Sequence, residues 1–431
     1  MIQKPKGTYD VYSSKGKTIN YIEELIKNVM EVYNYEYVRT PIFEASELFH
    51  RGVGETTDIV TKETYDFVDR GERNMTLRPE GTAGVVRSFI ENKMYGELLP
   101  RKVWYYGPMF RYERPQSGRF REFYQFGVEV FGSDNPILDA EIISIPVTLY
   151  RMLGLKGIKV NINSLGDNES RNNYREALIK YFEPHINELC EDCRERFKKN
   201  PLRILDCKVD KDSDILKNAP KIMDYLNEES KKHFLKVQEY LDAMDIPYTV
   251  DSNVVRGLDY YTHTVFEVEA DIKDFGAQNV LCGGGRYDGL VEMIGGPKCS
   301  GVGFALGLER LLNAIEAEKL ELPIDSKVDI YLAPMSEEQI PYTIKLLNVL
   351  RLCGYTTEID TNNRKLANNF KQADRLGAKY IIIIGEDEVK TNTLTIKNNQ
   401  TKEEFKVELK NLVDFFDQHD HECCGGCCHE N

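Results

Sequence analysis

Four arginines, Arg111, Arg114, Arg119 and Arg121, stand among aromatics and carboxylates in FRYERPQSGRFREFYQFGVEVFG, residues 110–132. Guanidinium groups at this density either form a solvated basic surface or grip an anionic ligand, phosphate above all, through their paired N–H donors. Side-chain parity bears on the choice, because successive strand residues point to opposite faces. In 103–113 one face carries Val103, Tyr105, Gly107, Met109, Arg111 and Glu113; in 123–131 one face carries Phe123, Gln125, Gly127, Glu129 and Phe131. Pairing the two runs as an antiparallel hairpin with the apolar faces together puts Arg111, Glu113, Gln125 and Glu129 on one face. Gly127 leaves a gap among them, where a ligand could approach closely. For the hairpin alone both readings stay open.

Three other stretches favour a ligand. TLRPEGT, residues 76–82, sets Arg78 and Glu80 before a helix start with Thr82 as its cap. VVRGLDYYTHTVFE, residues 254–267, places Arg256, Asp259, Tyr260 and Tyr261 at the start of a strand. In SGVGFALGLERLL, residues 300–312, Gly301, Gly303, Ala305 and Gly307 make one smooth strand face with room for a flat ligand. Arg310 then falls in the first turn of the following helix, a poor place for a cation unless it meets an anion.

The elements that must hold these residues can be read from periodicity. An amphipathic helix spans 14–33, capped by Ser13 or Ser14, with Ile19, Ile22, Ile26, Val29 and Tyr33 on one face. Strands follow at 37–43 and 64–68, then the helix AGVVRSFIENK, then strands at 102–113 and 122–131. Residues 169–247 are polar and helix-prone and read as a helical insertion. Strand-rich sequence returns at 248–306, with a helix from 308. After the polar break EKLELPIDSKVD, strands and helices alternate (VDIYLAP, 337–352, YTTEI, 364–376, KYIIIIG), the order of a mostly parallel α/β domain. The end, HDHECCGGCCHEN, is of low complexity and reads as disordered.

A chain of 431 residues calls for two or three domains. Its net charge of -14 excludes a protein that coats nucleic acid through general basicity, but leaves room for a local basic groove. No apolar run approaches the ~18 residues of a membrane span, and MIQKPKGTYD at the start has no secretory pattern. Ten irregularly spaced cysteines in a chain this large suit a reducing cytoplasm.

Taken in order, these motifs resemble the class II aminoacyl-tRNA synthetases, and among them the histidyl-tRNA synthetase family, over residues 1–417. YVRTPIFEASELF is similar to motif 1, the arginine hairpin to motif 2, GVGFALGLERLL to motif 3, and RGLDYYTHTVFE to a segment peculiar to the histidine enzymes. The resemblance implies an α+β fold: a catalytic domain at 1–325 with an antiparallel sheet flanked by helices and the insertion at 169–247, an α/β anticodon-binding domain at 326–417, and the Cys/His-rich tail at 418–431. It implies the activation of L-histidine by ATP, with Mg2+ expected, and transfer of the histidyl group to tRNA(His) by a homodimer. Arg111 and Arg256 would flank the α-phosphate as catalytic cations, and Arg310 would meet the γ-phosphate or the adenine. Glu80, Gly81, Thr82 and Gln125 would hold the α-amino end of histidine. Glu129, Tyr260 and Tyr261 would form the imidazole pocket. Arg114, Gln116 and Arg119 would touch the tRNA acceptor end. Zinc is not expected in the active site.

Other features draw plainer readings. His263 has no role that the resemblance requires. CGGGRYDG, residues 282–289, lacks phosphate-loop spacing and reads as a turn bringing Tyr287 toward the pocket. Cys190, Cys193 and Cys207 contain one C-x-x-C; a zinc site would need a fourth ligand, with His185 the near candidate, and three reduced thiols are the alternative. The tail cysteines are a second metal-binding candidate. The rival function is a non-catalytic synthetase paralogue regulating ATP phosphoribosyltransferase, which would need neither the full arginine set nor an anticodon domain.

Overall fold

The two runs flanking the arginine loop form antiparallel strands, Arg101–Phe110 and Glu122–Phe131, with Val103 opposite Glu129, Tyr105 opposite Gly127 and Gly107 opposite Gln125. This pairing keeps on one face the residues that parity groups together. The computed structural model describes residues 1–431 apart from 54–58, 206, 208, 211, 256–259, 273–274, 276–278, 325–327, 363 and 421–431. Two compact units emerge, divided between Leu322 and Pro323.

In the first unit the hairpin belongs to an eight-stranded sheet ordered Glu36–Tyr37, Arg101–Phe110, Glu122–Phe131, Gly301–Gly307, Val280–Arg286, Thr262–Ala270, Ile158–Ser164, Tyr248–Val250. The interior pairings are antiparallel, as expected for this fold class. The two short edge strands pair in parallel, so the sheet is mixed. Tyr248–Val250 is joined to its parallel partner Ile158–Ser164 through the helical segment that ends in Glu228–Ala243, and Glu36–Tyr37 to Arg101–Phe110 through a connection that contains the helix Thr82–Glu91. Long crossovers of this kind are what parallel pairing needs.

One sheet face is covered by the helices Ser13–Val32, Pro136–Met152 and Glu228–Ala243, which bury Ile22, Ile143 and Phe234 against Trp104, Phe126, Val128 and Phe304. The middle helix starts cleanly: Asn135 Oδ1 accepts the Ile137 N–H at 3.0 Å and Pro136 occupies the first turn. The first helix departs from expectation at its start. Tyr12 holds the cap position, with no side-chain cap bond. The opposite sheet face is only partly covered, by the helix Thr82–Glu91 and the aromatics Tyr105, Tyr260, Tyr261 and Tyr287.

Between 168 and 243 the described residues form helices, turns and short loops, with no strand among them. They split into two parts. Tyr174, Leu178, Phe182, Cys193 and Ile204 form a small core of their own, whereas Phe234, Val237 and Leu241 of Glu228–Ala243 join the main core.

The expected turn at CGGGRYDG is instead mostly strand, Val280–Arg286. Gly284 allows this, since a Cβ there would overlap the backbone of Gly303 on the neighbouring strand. The strand ends in a buried ion pair: Arg286 Nη2 and Asp139 Oδ2 lie 2.6 Å apart, and the guanidinium also donates to the carbonyls of Ser133 and Asn135, each at 3.0 Å. Removing one partner of such a pair strands a buried charge at a cost of about 3–5 kcal/mol.

The second unit carries a five-stranded sheet ordered Thr357–Ile359, Ile330–Pro334, Tyr380–Ile384, Thr393–Asn398, Glu404–Glu408. The first three strands are parallel, and the last two join antiparallel. The mostly parallel expectation therefore missed a hairpin. Its turn is made by Asn398, whose Oδ1 accepts the N–H groups of Gln400 and Thr401 at 2.8 and 3.0 Å. Among the described residues no helix is long and apolar enough to cross a membrane.

Candidate active site

Over the partly covered sheet face lies a cavity of about 490 Å³. Its wall includes Glu80, Thr82, Arg111, Arg119, Gln125, Glu129, Tyr260, Tyr261 and Arg310, drawn from every described motif that the sequence singled out except motif 1. Arg256 lies outside the described residues. Gly81, which links Glu80 to Thr82, sits at the cap of the helix behind this wall.

Glu129 is 1% exposed. Its Oε1 accepts from Thr82 Oγ1 at 2.7 Å and from the Tyr105 hydroxyl at 3.5 Å, and the Tyr287 hydroxyl donates to Oε2. Burial pushes its pKa up to about 8 although these hydroxyls favour the ionised form; the neighbouring Glu80 pushes the same way as burial. Glu80 is raised too, chiefly by burial. Gly81 rather than the expected Thr82 holds the cap position, and Glu80 supplies the capping bonds: its carboxylate takes the N–H groups of Thr82 and Ala83 at 2.7 and 2.8 Å. That frees the Thr82 hydroxyl for Glu129.

The packing around this carboxylate depends on missing side chains. A Cβ at Gly81 or Gly127 would overlap the Tyr105 ring, one at Gly301 would overlap Tyr287, and one at Gly303 would overlap Glu129. The gap expected at Gly127 is thus filled by Tyr105 rather than by a ligand. The glycine face of Gly301–Gly307 is likewise covered at Gly301 and Gly303, and opens only toward Gly307, where a Cβ would meet nothing within 4 Å. Tyr105 is the site residue that sequence reasoning missed. It reads as an ordinary core aromatic, and only its packing against Gly81 and Gly127 reveals its place. Tyr287, read in the sequence as brought toward the pocket, lines the cavity from just beyond the strand Val280–Arg286.

The opening question about the four arginines has a divided answer. Arg111 lines the cavity, held by its Nε–H to the Pro79 carbonyl at 2.9 Å and by its guanidinium 5.2 Å from the Phe123 ring centre. Arg119 also lines it, 3.4 Å from Glu113. Its backbone bridges to Gln116, closing a tight loop on which Arg114 and Gln116 are exposed. Arg121 lies on the Tyr112 ring at 3.9 Å and donates to the Glu113 carbonyl, which makes it a fastening of the loop. Arg78 is buried and tied to the carbonyls of Pro108 and Thr40 at 2.8 and 3.1 Å, so it holds chain segments together rather than a ligand.

Arg310 Nη1 donates to the Val280 carbonyl at 2.8 Å. Gln125 brings a buried Oε1 with no hydrogen-bond partner among the described residues, an acceptor that suits a ligand N–H. His263 lies 3.9 Å from Asp288 and its ring centre is 5.3 Å from that of His233; it is absent from the cavity wall.

An antiparallel-centred sheet, with an arginine hairpin and a glycine-rich strand running into a helix around one cavity, defines the class II aminoacyl-tRNA synthetase catalytic domain. Residues 7–311 match the histidyl-tRNA synthetase family and residues 329–419 match the anticodon binding domain family. The chain belongs to the histidyl-tRNA synthetase family. It is 52% identical over 410 residues to the histidine–tRNA ligase of Bacillus velezensis, covering 95% of this chain and 97% of that one. The Bacillus subtilis histidine–tRNA ligase is 51% identical over the same shares. Among solved structures, apo histidyl-tRNA synthetase of Staphylococcus aureus superposes with a TM-score of 0.83 at 46% identity, over 96% of this chain and all of that one.

Proposed function

We propose that this chain, a histidine–tRNA ligase by family, activates L-histidine and transfers it in two steps within the cavity described. The histidine carboxylate attacks the α-phosphorus of ATP and expels pyrophosphate; a 3′-terminal hydroxyl of tRNA(His) then attacks the acyl carbon and expels AMP. The observation that carries this reading is a buried carboxylate, Glu129, set among three hydroxyls in the same cavity as Arg111 and Arg310.

In this reading Arg111 meets the negative charge that builds on the α-phosphate, with Arg256 on its far side, and Arg310 takes the γ-phosphate or the adenine. Glu80, Thr82 and Gln125 hold the α-amino group, a role that the unpartnered Gln125 Oε1 supports. Glu129 accepts one imidazole N–H, Tyr261 donates to the other ring nitrogen, and Tyr260 lines the pocket. A polar pocket of this kind rejects other side chains by leaving its own groups unpaired. Mg2+ arrives with the triphosphate. Glu113 and Glu267 are cavity-lining carboxylates whose oxygens suit a hard cation. Arg114 and Gln116, exposed on the loop, reach for the acceptor end, with Arg119 at the cavity edge. The second unit reads the anticodon, with Lys365, Lys371 and Arg375 exposed on and beside one helix. Arg364 is partly withdrawn, since it pairs with Asp360. The cytoplasm, where tRNA is charged, is the assigned compartment. Histidine-dependent exchange of pyrophosphate into ATP tests the reading; a folded chain without that exchange would be the regulatory paralogue instead.

The Glu129 assignment predicts a pH dependence. The unliganded carboxyl group holds a proton below about 8, and its ionised form is the stronger acceptor for an imidazole N–H. Histidine affinity is therefore expected to rise with pH up to that value, with a limiting slope of about tenfold per pH unit. Calorimetry in buffers of different ionisation enthalpy should detect the released proton. Glu129→Gln should bind histidine more weakly and flatten the profile. A wild-type affinity independent of pH in this range removes Glu129 from the imidazole.

The dimer assignment rests on an exposed apolar group around motif 1: Tyr37, Ile42, Phe43 and, at the far edge of the three-stranded sheet that contains Phe43–Ala45, Phe67 and Val68 are 41–63% exposed. A two-fold axis through this patch would make it self-complementary. Sedimentation at micromolar concentration is expected to show a dimer, and Phe43→Asp a shift toward monomer. A fully active wild-type monomer would defeat the assignment.

A further inference from the structure

The small core of the helical insertion contains a polar cluster that the ligase chemistry does not use. Cys190 caps the helix Glu191–Lys199, and Cys193 lies in its first turn. Cys207 and Asp210 come from the loop beyond the short helix Pro201–Ile204. One ligand atom from each of the four residues falls within 4.8 Å of all the others. The Cys190 and Cys207 sulfurs are 3.6 Å apart, and Cys207 Sγ is 3.5 Å from Asp210 Oδ2.

We propose that Cys190, Cys193, Cys207 and Asp210 form a structural zinc site that holds the insertion lobe together. The spacing is C-x2-C-x13-C-x2-D, two turns of the same length that each present a pair of ligands. The Cys190–Cys207 and Cys207–Asp210 edges match a tetrahedron: bond lengths of about 2.3 Å to sulfur and 2.1 Å to oxygen give edges of about 3.8 Å between sulfurs and about 3.6 Å between sulfur and oxygen. Backbone donors already brace the ligands. The Cys190 N–H donates to Asp210 Oδ2 at 3.0 Å, and the Asp210 N–H donates to Cys207 Sγ at 3.3 Å. Hydrogen bonds of this outer kind orient ligands in metal sites.

The fourth ligand differs from the sequence expectation. His185 lies 3.0 Å from Glu188 and is absent from the cluster. Three thiolates with one carboxylate favour zinc over the hard cations. Four protein ligands fill the coordination shell and leave no position for a substrate, so the role is structural rather than catalytic. The surroundings are dry on one side, with Cys193 and Cys207 0% and 3% exposed. Zinc binding displaces a thiol proton from each cysteine that binds as thiolate. The need is also plain: the lobe's own core is small, and small cores often require a metal to hold.

A disulfide between Cys190 and Cys207 is the competing use of the same atoms. It would give Cys193 and Asp210 no part, although both face the same point.

The test uses the full chain with Cys423, Cys424, Cys427 and Cys428 changed to serine, which removes the tail as a second binder. Elemental analysis after purification under reducing conditions is expected to find one zinc per chain, retained through dialysis and released by a thiol-blocking reagent. Replacing that zinc with cobalt(II) should give the intense visible bands of a tetrahedral site and a thiolate charge-transfer band sized for three sulfurs. Cys190→Ser with Cys193→Ser should abolish both signals. Asp210→Ala should keep the charge transfer and alter the tetrahedral bands. If the double variant does not fold, the cobalt spectrum of the tail variant alone decides. The proposal is overturned if that chain binds neither zinc nor cobalt, if cobalt bands appear without thiolate character, or if mass spectrometry finds Cys190 and Cys207 joined in a disulfide.

Discussion

Arg111→Ala is expected to lower histidine-dependent pyrophosphate exchange by about 10²–10³-fold, the loss typical when one preorganised donor to a developing charge is removed. The side chain is held before any ligand arrives, by the Pro79 carbonyl and the Phe123 ring. Little reorganisation is then needed at the moment of reaction, and its contribution falls on kcat rather than on ground-state binding. Histidine affinity should change far less, because the groups that bond Glu129 are Thr82, Tyr105 and Tyr287 rather than Arg111. Arg111→Lys is not expected to rescue, since an ammonium cannot reproduce the planar fork. Near-normal exchange in a folded Arg111→Ala protein would remove this residue from the reaction.

The second large effect is expected on deleting residues 323–431, the whole of the second unit. Charging of tRNA should fall by about a hundredfold or more, equivalent to about 3 kcal/mol of lost recognition. Pyrophosphate exchange should persist, because every described cavity-lining residue belongs to the first unit. The chain's net charge of -14 sharpens this expectation: general attraction to tRNA is absent, so binding must rely on restricted basic tracks. The affinity of the intact protein for tRNA should fall with salt on a modest log–log slope, about -0.7 to -0.9 per phosphate neutralised. Full charging by a folded truncated protein would overturn the anticodon assignment. Loss of exchange as complete as loss of charging would overturn the division of labour between the units.

The hairpin was legible because two long strands with one apolar face each allow a single sensible register. Motif order then located most of the cavity wall. Legibility ended where the partner of a polar group was a backbone atom. Arg78 and Arg121 look like ligand grips in the sequence, yet their partners include the carbonyls of Pro108 and Glu113, whose positions no pattern of residue types discloses. Asp210 was missed for a related reason. As one acidic residue in an acidic chain it carries no signal until folding sets it against three sulfurs. The second unit's last hairpin was hidden by its polar composition, although the Asn398 turn marks it. Tyr105 went unrecognised because what distinguishes it is the room left by Gly81 and Gly127, which lie far from it in the chain.

Those glycines bear on how freely the enzyme's choice of amino acid can drift. Tyr105, Tyr287 and Glu129 each occupy volume that a glycine on another segment gives up. Shrinking one of the large residues leaves a hole that its glycine cannot fill, and enlarging a glycine evicts a pocket group. Either change alone lowers fitness before it can create a new preference. A lineage selecting a bulkier histidine analogue must therefore alter both members of a pair together. Random single-codon libraries will rarely find that route, whereas libraries randomising Tyr105 jointly with Gly81 and Gly127 start beyond the barrier.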